Sequence, residues 1–108
     1  MLDSLLTLRG VVRSLRIYYG DRARRERMDA LHARFLNPGD LAFDIGAHVG
    51  DRVASFRRLG ARAVAVEPQP ALARTLRLLF AFDRGVSVEQ AAVGRAEGEV
   101  ELKLNLPN

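Results

Sequence analysis

Leu41-Ala42-Phe43-Asp44-Ile45-Gly46-Ala47-His48-Val49-Gly50 decides how this chain folds. An apolar run carrying one acid reads as a short buried strand, and the glycines after it as a turn that opens a helix. Gly46 and Gly50 supply the backbone freedom that a tight strand-to-helix turn needs. Such a turn is expected to aim free backbone N–H groups and the positive end of a helix dipole at a ligand.

The pattern repeats downstream. Asp51 to Leu59 reads as a helix with Val53, Phe56 and Leu59 inward, and Ala63-Val64-Ala65-Val66 as a second buried strand closed by Glu67 and Pro68. Pro70 suits the first turn of the next helix, striped by Leu72, Leu76 and Leu79, which ends near Asp83-Arg84-Gly85. Val86 to Val93 reads as a third strand, running at least through Ala91. Gly94 to Gly98 read as a polar turn. The strict alternation of Glu99 to Asn105 marks a half-exposed strand, antiparallel to its neighbour. Upstream, residues 4–19 read as a helix with Leu5, Leu8, Val12, Leu15 and Tyr19 in one stripe. Asp21 caps a second helix to about Leu36, with Met28, Leu31 and Phe35 on one face.

Strand–helix alternation with short loops makes this an α/β chain with a parallel sheet in spatial order 3-2-1. That is one half of a doubly wound Rossmann-like fold, preceded by two helices. Strand one then lies at an open edge through which an oligomer could form. The expected division is a helical extension over 1–36 and a partial binding domain over 37–108.

Composition narrows the function. The 108 residues are 48% hydrophobic and 28% charged, carry a net charge of +4 and contain no cysteine. Disulfides, thiolate metal sites and Cys nucleophiles are excluded, and a reducing cytoplasm is the expected location. Arg9, Arg13 and Arg16 interrupt the apolar start, so it reads as neither a membrane span nor a signal-peptide core. Arg22, Arg24, Arg25 and Arg27 read as a solvated helix face. No aromatic residues interleave with them, so nucleic acid is not an expected partner. His32 reads as a helix-surface histidine, and two distant histidines make no metal site.

Asp44 and Glu67, at the tips of adjacent strands, face the crevice where open α/β sheets bind ligands. A carboxylate suits a ribose diol because it only accepts hydrogen bonds and has two oxygens. A dinucleotide site needs G-x-G-x-x-G, whereas here Ala47-His48-Val49 separate Gly46 from Gly50. S-adenosylmethionine (SAM) carries an ammonium and a sulfonium and no phosphate, so an acid at the head of the turn favours it over a nicotinamide dinucleotide.

Three blocks in order are similar to the FkbM family of class I SAM-dependent methyltransferases. They are Phe43-Asp44-Ile45-Gly46-Ala47-His48-Val49-Gly50, Val64-Ala65-Val66-Glu67-Pro68, and Glu89 to Gly94 with Gly98 to Leu102. The similarity spans about residues 36–106. It implies that Asp44, Gly46, Ala47 and Gly50 surround the methionine part of SAM and that Glu67 binds its ribose. It implies too that Pro68 and Ala91-Ala92 line the adenine slot, with His48 as a turn residue or a cofactor contact. The implied reaction is O-methylation of a hydroxyl on a sugar or other small natural product. The family's next strand, carrying an Asp-x-Glu-Gly-type motif, does not follow Asn105. The acceptor site and the general base are therefore expected elsewhere, and the chain reads as the cofactor-binding half of something larger. The competing reading is a catalytically silent remnant or partner-dependent fragment, and a third is a nicotinamide-binding half-domain.

Overall fold

The computed structural model describes residues 2–96 and 99–104, with side chains placed over 8–92 apart from residues 14, 17 and 18. Helices α1 (Leu2–Tyr19) and α2 (Arg22–His32) lead into β1 (Leu41–Ile45), α3 (Asp51–Arg58), β2 (Arg62–Val66), α4 (Pro70–Leu79) and β3 (Val86–Glu89). A hairpin of β4 (Ala91–Ala96) and β5 (Glu99–Leu104) follows. β1, β2 and β3 form a parallel sheet in the order β1-β2-β3, with Asp44 beside Ala65 and Val66 beside Glu89. This is the Rossmann-like α/β half with interleaved helices that the strand–helix alternation predicts.

Successive right-handed crossovers advancing in one direction put their helices on one face of a sheet. Val53 and Phe56 of α3 and Leu76 of α4 accordingly share a core with Ala63 and Ala65 of β2. The alanines let the helices approach closely, and burying each large side chain contributes about 1.5–3 kcal/mol. Phe80, not Leu79, continues the α4 stripe into this core. Leu72, Leu76 and Phe80 follow one another at steps of four, and the helix ends at Leu79, sooner than the expected Asp83-Arg84-Gly85.

The other face of the sheet is exposed along β1, although Val66 of β2 on that face is buried. β1 is therefore not the buried strand its composition implied. Asp44 is buried on the helical side, while Leu41, Phe43 and Ile45 point to the open side and Phe43 is 60% exposed. β1 is also the sheet edge, as expected.

The third strand divides. Pairing with β2 runs out at Glu67, whose N–H donates to Glu89 and whose carbonyl accepts from Ala91. Pro68 has no N–H to continue the ladder. Beyond Gln90 the chain pairs with β5 instead, antiparallel, with Ala91 opposite Leu104 and Ala96 opposite Glu99. Regular pairing thus reaches into the expected Gly94–Gly98 turn. Residues 97 and 98, Asn105, and the side chains whose alternation marked β5 lie outside the described residues.

The lead-in helices dock differently from expectation. α1 turns Val11, Leu15 and Tyr19 toward Val49 and Leu72, leaving Leu8 and Val12 exposed; the Leu5 side chain lies outside the described residues. α2 ends at His32 rather than Leu36, and Leu31 and Phe35 of the expected apolar face are exposed. It buries no residue. It is held to α3 by polar side chains.

Candidate functional site

The turn after β1 alternates into left-handed backbone, with φ of +73° at Gly46, +56° at His48 and +78° at Gly50. A histidine there is uncommon and carries a modest conformational cost. A Cβ on Gly50 would meet Leu76 Cδ2 at 2.7 Å and Phe80 Cε2 at 2.8 Å, whereas one on Gly46 would meet nothing within 4 Å. Gly50 therefore serves packing, while Gly46 leaves an open backbone surface at the mouth of the crevice.

The expectation of free backbone donors in this turn is corrected. The N–H groups of Gly46 and Ala47 both donate to the Val66 carbonyl, at 2.8 and 3.0 Å, and that of Gly50 donates to Ala47. The His48 N–H donates to Glu67 Oε1 at 2.8 Å. The Tyr19 hydroxyl donates to the Val49 carbonyl at 2.7 Å, tying the turn to α1. Burial pushes that phenol far above its ordinary pKa, so it stays a donor.

What the site offers a ligand is negative charge. Asp44 is 5% exposed; its Oδ1 accepts from Arg52, and its Oδ2 is buried with no partner among the described residues. Burial raises the Asp44 pKa above the ordinary carboxylate range, against the pull of Arg52 and with smaller pushes from Asp51 and Glu67. Arg52 also donates to the Gly46 carbonyl at 3.0 Å. Glu67 is 3% exposed, with Oε1 held by His48 N–H and Oε2 by Gln69 N–H at 2.9 Å. It clamps the glycine turn to the loop after β2. Each oxygen keeps a second lone-pair site. Pro68 and Ala92 lie exposed beside it, and Ala91 is buried.

A polar cluster that sequence reasoning did not assemble lies beside this turn. His32 is half-buried, not on the surface, because its ring packs on Phe56 with centroids 4.8 Å apart and its Nδ1 lies 2.8 Å from Ser55 Oγ. Ser55, fully buried, donates to Asp29 Oδ1 at 2.5 Å. Arg58 grips the same carboxylate with two bonds of 2.7 Å, which holds its pKa below the ordinary value. Burial lowers the His32 pKa. Arg24, expected on a solvated face, pairs with Asp51 at 3.0 Å. The signal was spacing: Asp29 and His32 on α2, and Ser55 and Arg58 on α3, each sit three apart and so share a helix face.

Between α2 and the head of α3 lies a cavity of about 620 Å³, lined by Arg24, Arg27, His32, His48, Asp51 and Arg52 together with apolar α2 side chains. That volume is within the usual range for small-molecule sites. No group of His, Asp and Glu suited to a metal ion occurs among the described residues. No helix among them is long and apolar enough to cross a membrane.

No protein-family model matches the chain, and no curated protein does. Five chains of solved structures match it. One is a precorrin-6y C5,15-methyltransferase from Geobacter metallireducens, with a TM-score of 0.55 and 20% identity over 66% of this chain. The match spans 39% of that protein. At this identity the likeness establishes a shared Rossmann-like α/β fold.

Proposed function

We propose that this chain binds SAM at the Asp44 turn and is the cofactor-holding part, over residues 37–108, of a SAM-dependent methyltransferase. One observation carries the reading: Asp44 Oδ2 is a buried carboxylate oxygen without a donor among the described residues, at the mouth of the crevice. An unsatisfied buried acceptor is costly. The ligand that relieves it is a donor, such as the ammonium of SAM, and not a pyrophosphate, which two buried acids and a turn with committed N–H groups would repel. The residues present therefore fit SAM.

In this reading Asp44 accepts from the ammonium, the open backbone at Gly46 lies against the methionine portion, and the second lone pairs of Glu67 accept from the ribose hydroxyls. Ala47, His48 and Gly50 shape the turn, and Pro68 and Ala92 flank the adenine. When bound, SAM supplies a methyl group made electrophilic by its sulfonium. The chain's task is to hold it in line with an acceptor oxygen, where alignment is the main source of rate. The acceptor class we propose is a hydroxyl on a sugar or other small natural product, as in the FkbM family that the three sequence blocks resemble.

Calorimetric titration tests this. SAM should bind the wild-type chain, and Asp44→Asn should weaken binding by about tenfold or more, the loss of one charge-assisted contact. Glu67→Ala should also weaken it. Tight NADH binding with no SAM binding, or equal SAM affinity in all three proteins, would overturn the reading.

A further inference from the structure

The cavity beside the glycine turn contains a hydrogen-bond chain whose proton positions can be assigned by counting. Asp29 is held ionised by two bonds from Arg58 and can only accept. The single proton of the Ser55 hydroxyl is therefore spent on Asp29 Oδ1, 2.5 Å away. Ser55 Oγ, 2.8 Å from His32 Nδ1, must then be the acceptor, so Nδ1 carries a hydrogen. In the neutral ring this leaves Nε2 as a bare lone pair, and Nε2 has no partner among the described residues. Phe56 fixes the plane of the ring from below. A relay through the buried Ser55 that sets the tautomer and leaves the other nitrogen open is the arrangement a general base requires.

The rest of the lining points to the ligand's charge. Arg24, Arg27 and Arg52 outnumber Asp51 in the lining, an excess of positive charge. Arg24 is engaged with Asp51, and Arg52 with Asp44. Arg27 is exposed and makes no ion pair among the described residues. The cavity shares His48 with the glycine turn, so a ligand in it lies next to whatever Asp44 holds.

We propose that this cavity is the acceptor site: it takes a hydroxyl compound bearing a phosphate or carboxylate, with Arg27 pairing to the anion and His32 Nε2 receiving the hydroxyl proton. The inference rests on the SAM reading above and adds the base and the acceptor's charge. As the acceptor oxygen forms its bond to the methyl carbon, the carbon–sulfur bond breaks and its electron pair stays on sulfur, turning the sulfonium into a neutral thioether. The hydroxyl proton passes to Nε2, and the imidazolium then returns it to water. Asp29 on α2 and Asp51 on α3 face the charged ring favourably, while Arg24, Arg27, Arg52 and Arg58 oppose it, so the proton is readily released.

Nitrogen-15 NMR of the intact chain tests the assignment without an acceptor in hand. Near neutral pH the His32 ring should show a protonated Nδ1 and an imine-type Nε2. Inorganic phosphate in one arm, and acetate in the other, should shift the His32 ring signals saturably at about millimolar concentration or below in at least one arm. Arg27→Gln, at an exposed position that keeps the fold, should weaken that response about tenfold. Saturating SAM should leave it in place. A proton on Nε2, no saturable shift in either arm, or an equal response in Arg27→Gln overturns the proposal. So does competitive displacement of the anion by SAM, which would place the cofactor's own carboxylate in the cavity. SAM binding is measured calorimetrically on the same sample. A missing anion response with SAM still bound overturns this proposal alone, whereas an intact response without SAM binding overturns the cofactor reading and the acceptor assignment with it.

Discussion

Asp44→Asn removes a buried charge at nearly constant shape, and its effect on stability should oppose its effect on binding. The wild-type carboxylate is 5% exposed and leaves Oδ2 without a donor. A buried acceptor in that state costs about 1–3 kcal/mol. The compensating partner, Arg52, has a side chain 47% exposed, and so open an ion pair returns only about 0–1 kcal/mol. The carboxylate is thus a net liability of about 1 kcal/mol in the ligand-free protein. Its titration agrees in direction: burial raises the Asp44 pKa despite Arg52, so the fold favours the neutral form. A neutral amide should therefore raise the melting temperature by about 4–8 °C for a domain of this size. The sign with pH follows. A carboxyl with a raised folded pKa adds stability that is full below its unfolded pKa of about 3.9 and is lost as pH rises through the folded value. The advantage of the amide should accordingly be complete near neutral pH and vanish in acid. SAM at about 100 times its wild-type dissociation constant should add about 2.7 kcal/mol to the wild type but only about 1.4 kcal/mol to a variant that binds it about tenfold more weakly, closing the gap between them. Circular-dichroism melts at both pH values, with and without SAM, read all of this. A variant that melts below the wild type at neutral pH without ligand would refute the reasoning, because the Arg52 pair would then outweigh the burial of the charge.

Other positions give sharper structural readouts. Gly50→Ala should cost more than Gly46→Ala in urea unfolding, by about 1–3 kcal/mol, because only at Gly50 does the new Cβ strike Leu76 and Phe80; equal losses would mean the turn yields. Tyr19→Phe should cost about 1 kcal/mol, by denaturant melt, through loss of its bond to the Val49 carbonyl. No change would place that carbonyl in contact with water. Asp83 is held below the ordinary carboxylate range chiefly by its bonds to Arg57. Its contribution should be present above the unfolded pKa and fade as pH falls through the folded one. Asp83→Asn should therefore lower stability near neutral pH and flatten the acid limb of the stability profile. An unchanged limb would show that the pair is too solvated to matter.

The structure bears out the chain-order features closest to local rules. Asp21 caps α2 through its bond to the Arg24 N–H, and Pro70 opens α4. The strand order follows from short crossovers. What failed depended on neighbours. The apolar residues of β1 read as buried because parallel strands are usually covered on both sides, yet α3 and α4 both lie on the face opposite Phe43. On α2, apolar periodicity pointed to Leu31 and Phe35, whereas the docking face is the polar pair Asp29 and His32. Hydrophobic patterning has no means of seeing a helix held by a hydrogen-bond chain.

The candidate site divides in the same way. Asp44, Gly46, Gly50 and Glu67 were legible in sequence because strand ends and tight turns demand those residue types at those spacings. His48 adopts left-handed backbone, a conformation that glycine supplies more readily. Only the tertiary structure decided that the N–H groups of Gly46, Ala47, His48 and Gly50 are already spent, that Glu67 ties the turn to Gln69 with one oxygen on each, and that Asp44 is left with one oxygen unanswered among the described residues. It alone brought His32, Ser55 and Asp29 together from two helices. Sequence by itself determined the βαβ frame and its two acids, because these follow from local periodicity and the handedness of the chain. The hydrogen-bond partners of those acids were decided by packing, since a buried donor or acceptor is matched by what lies near it in space rather than along the chain.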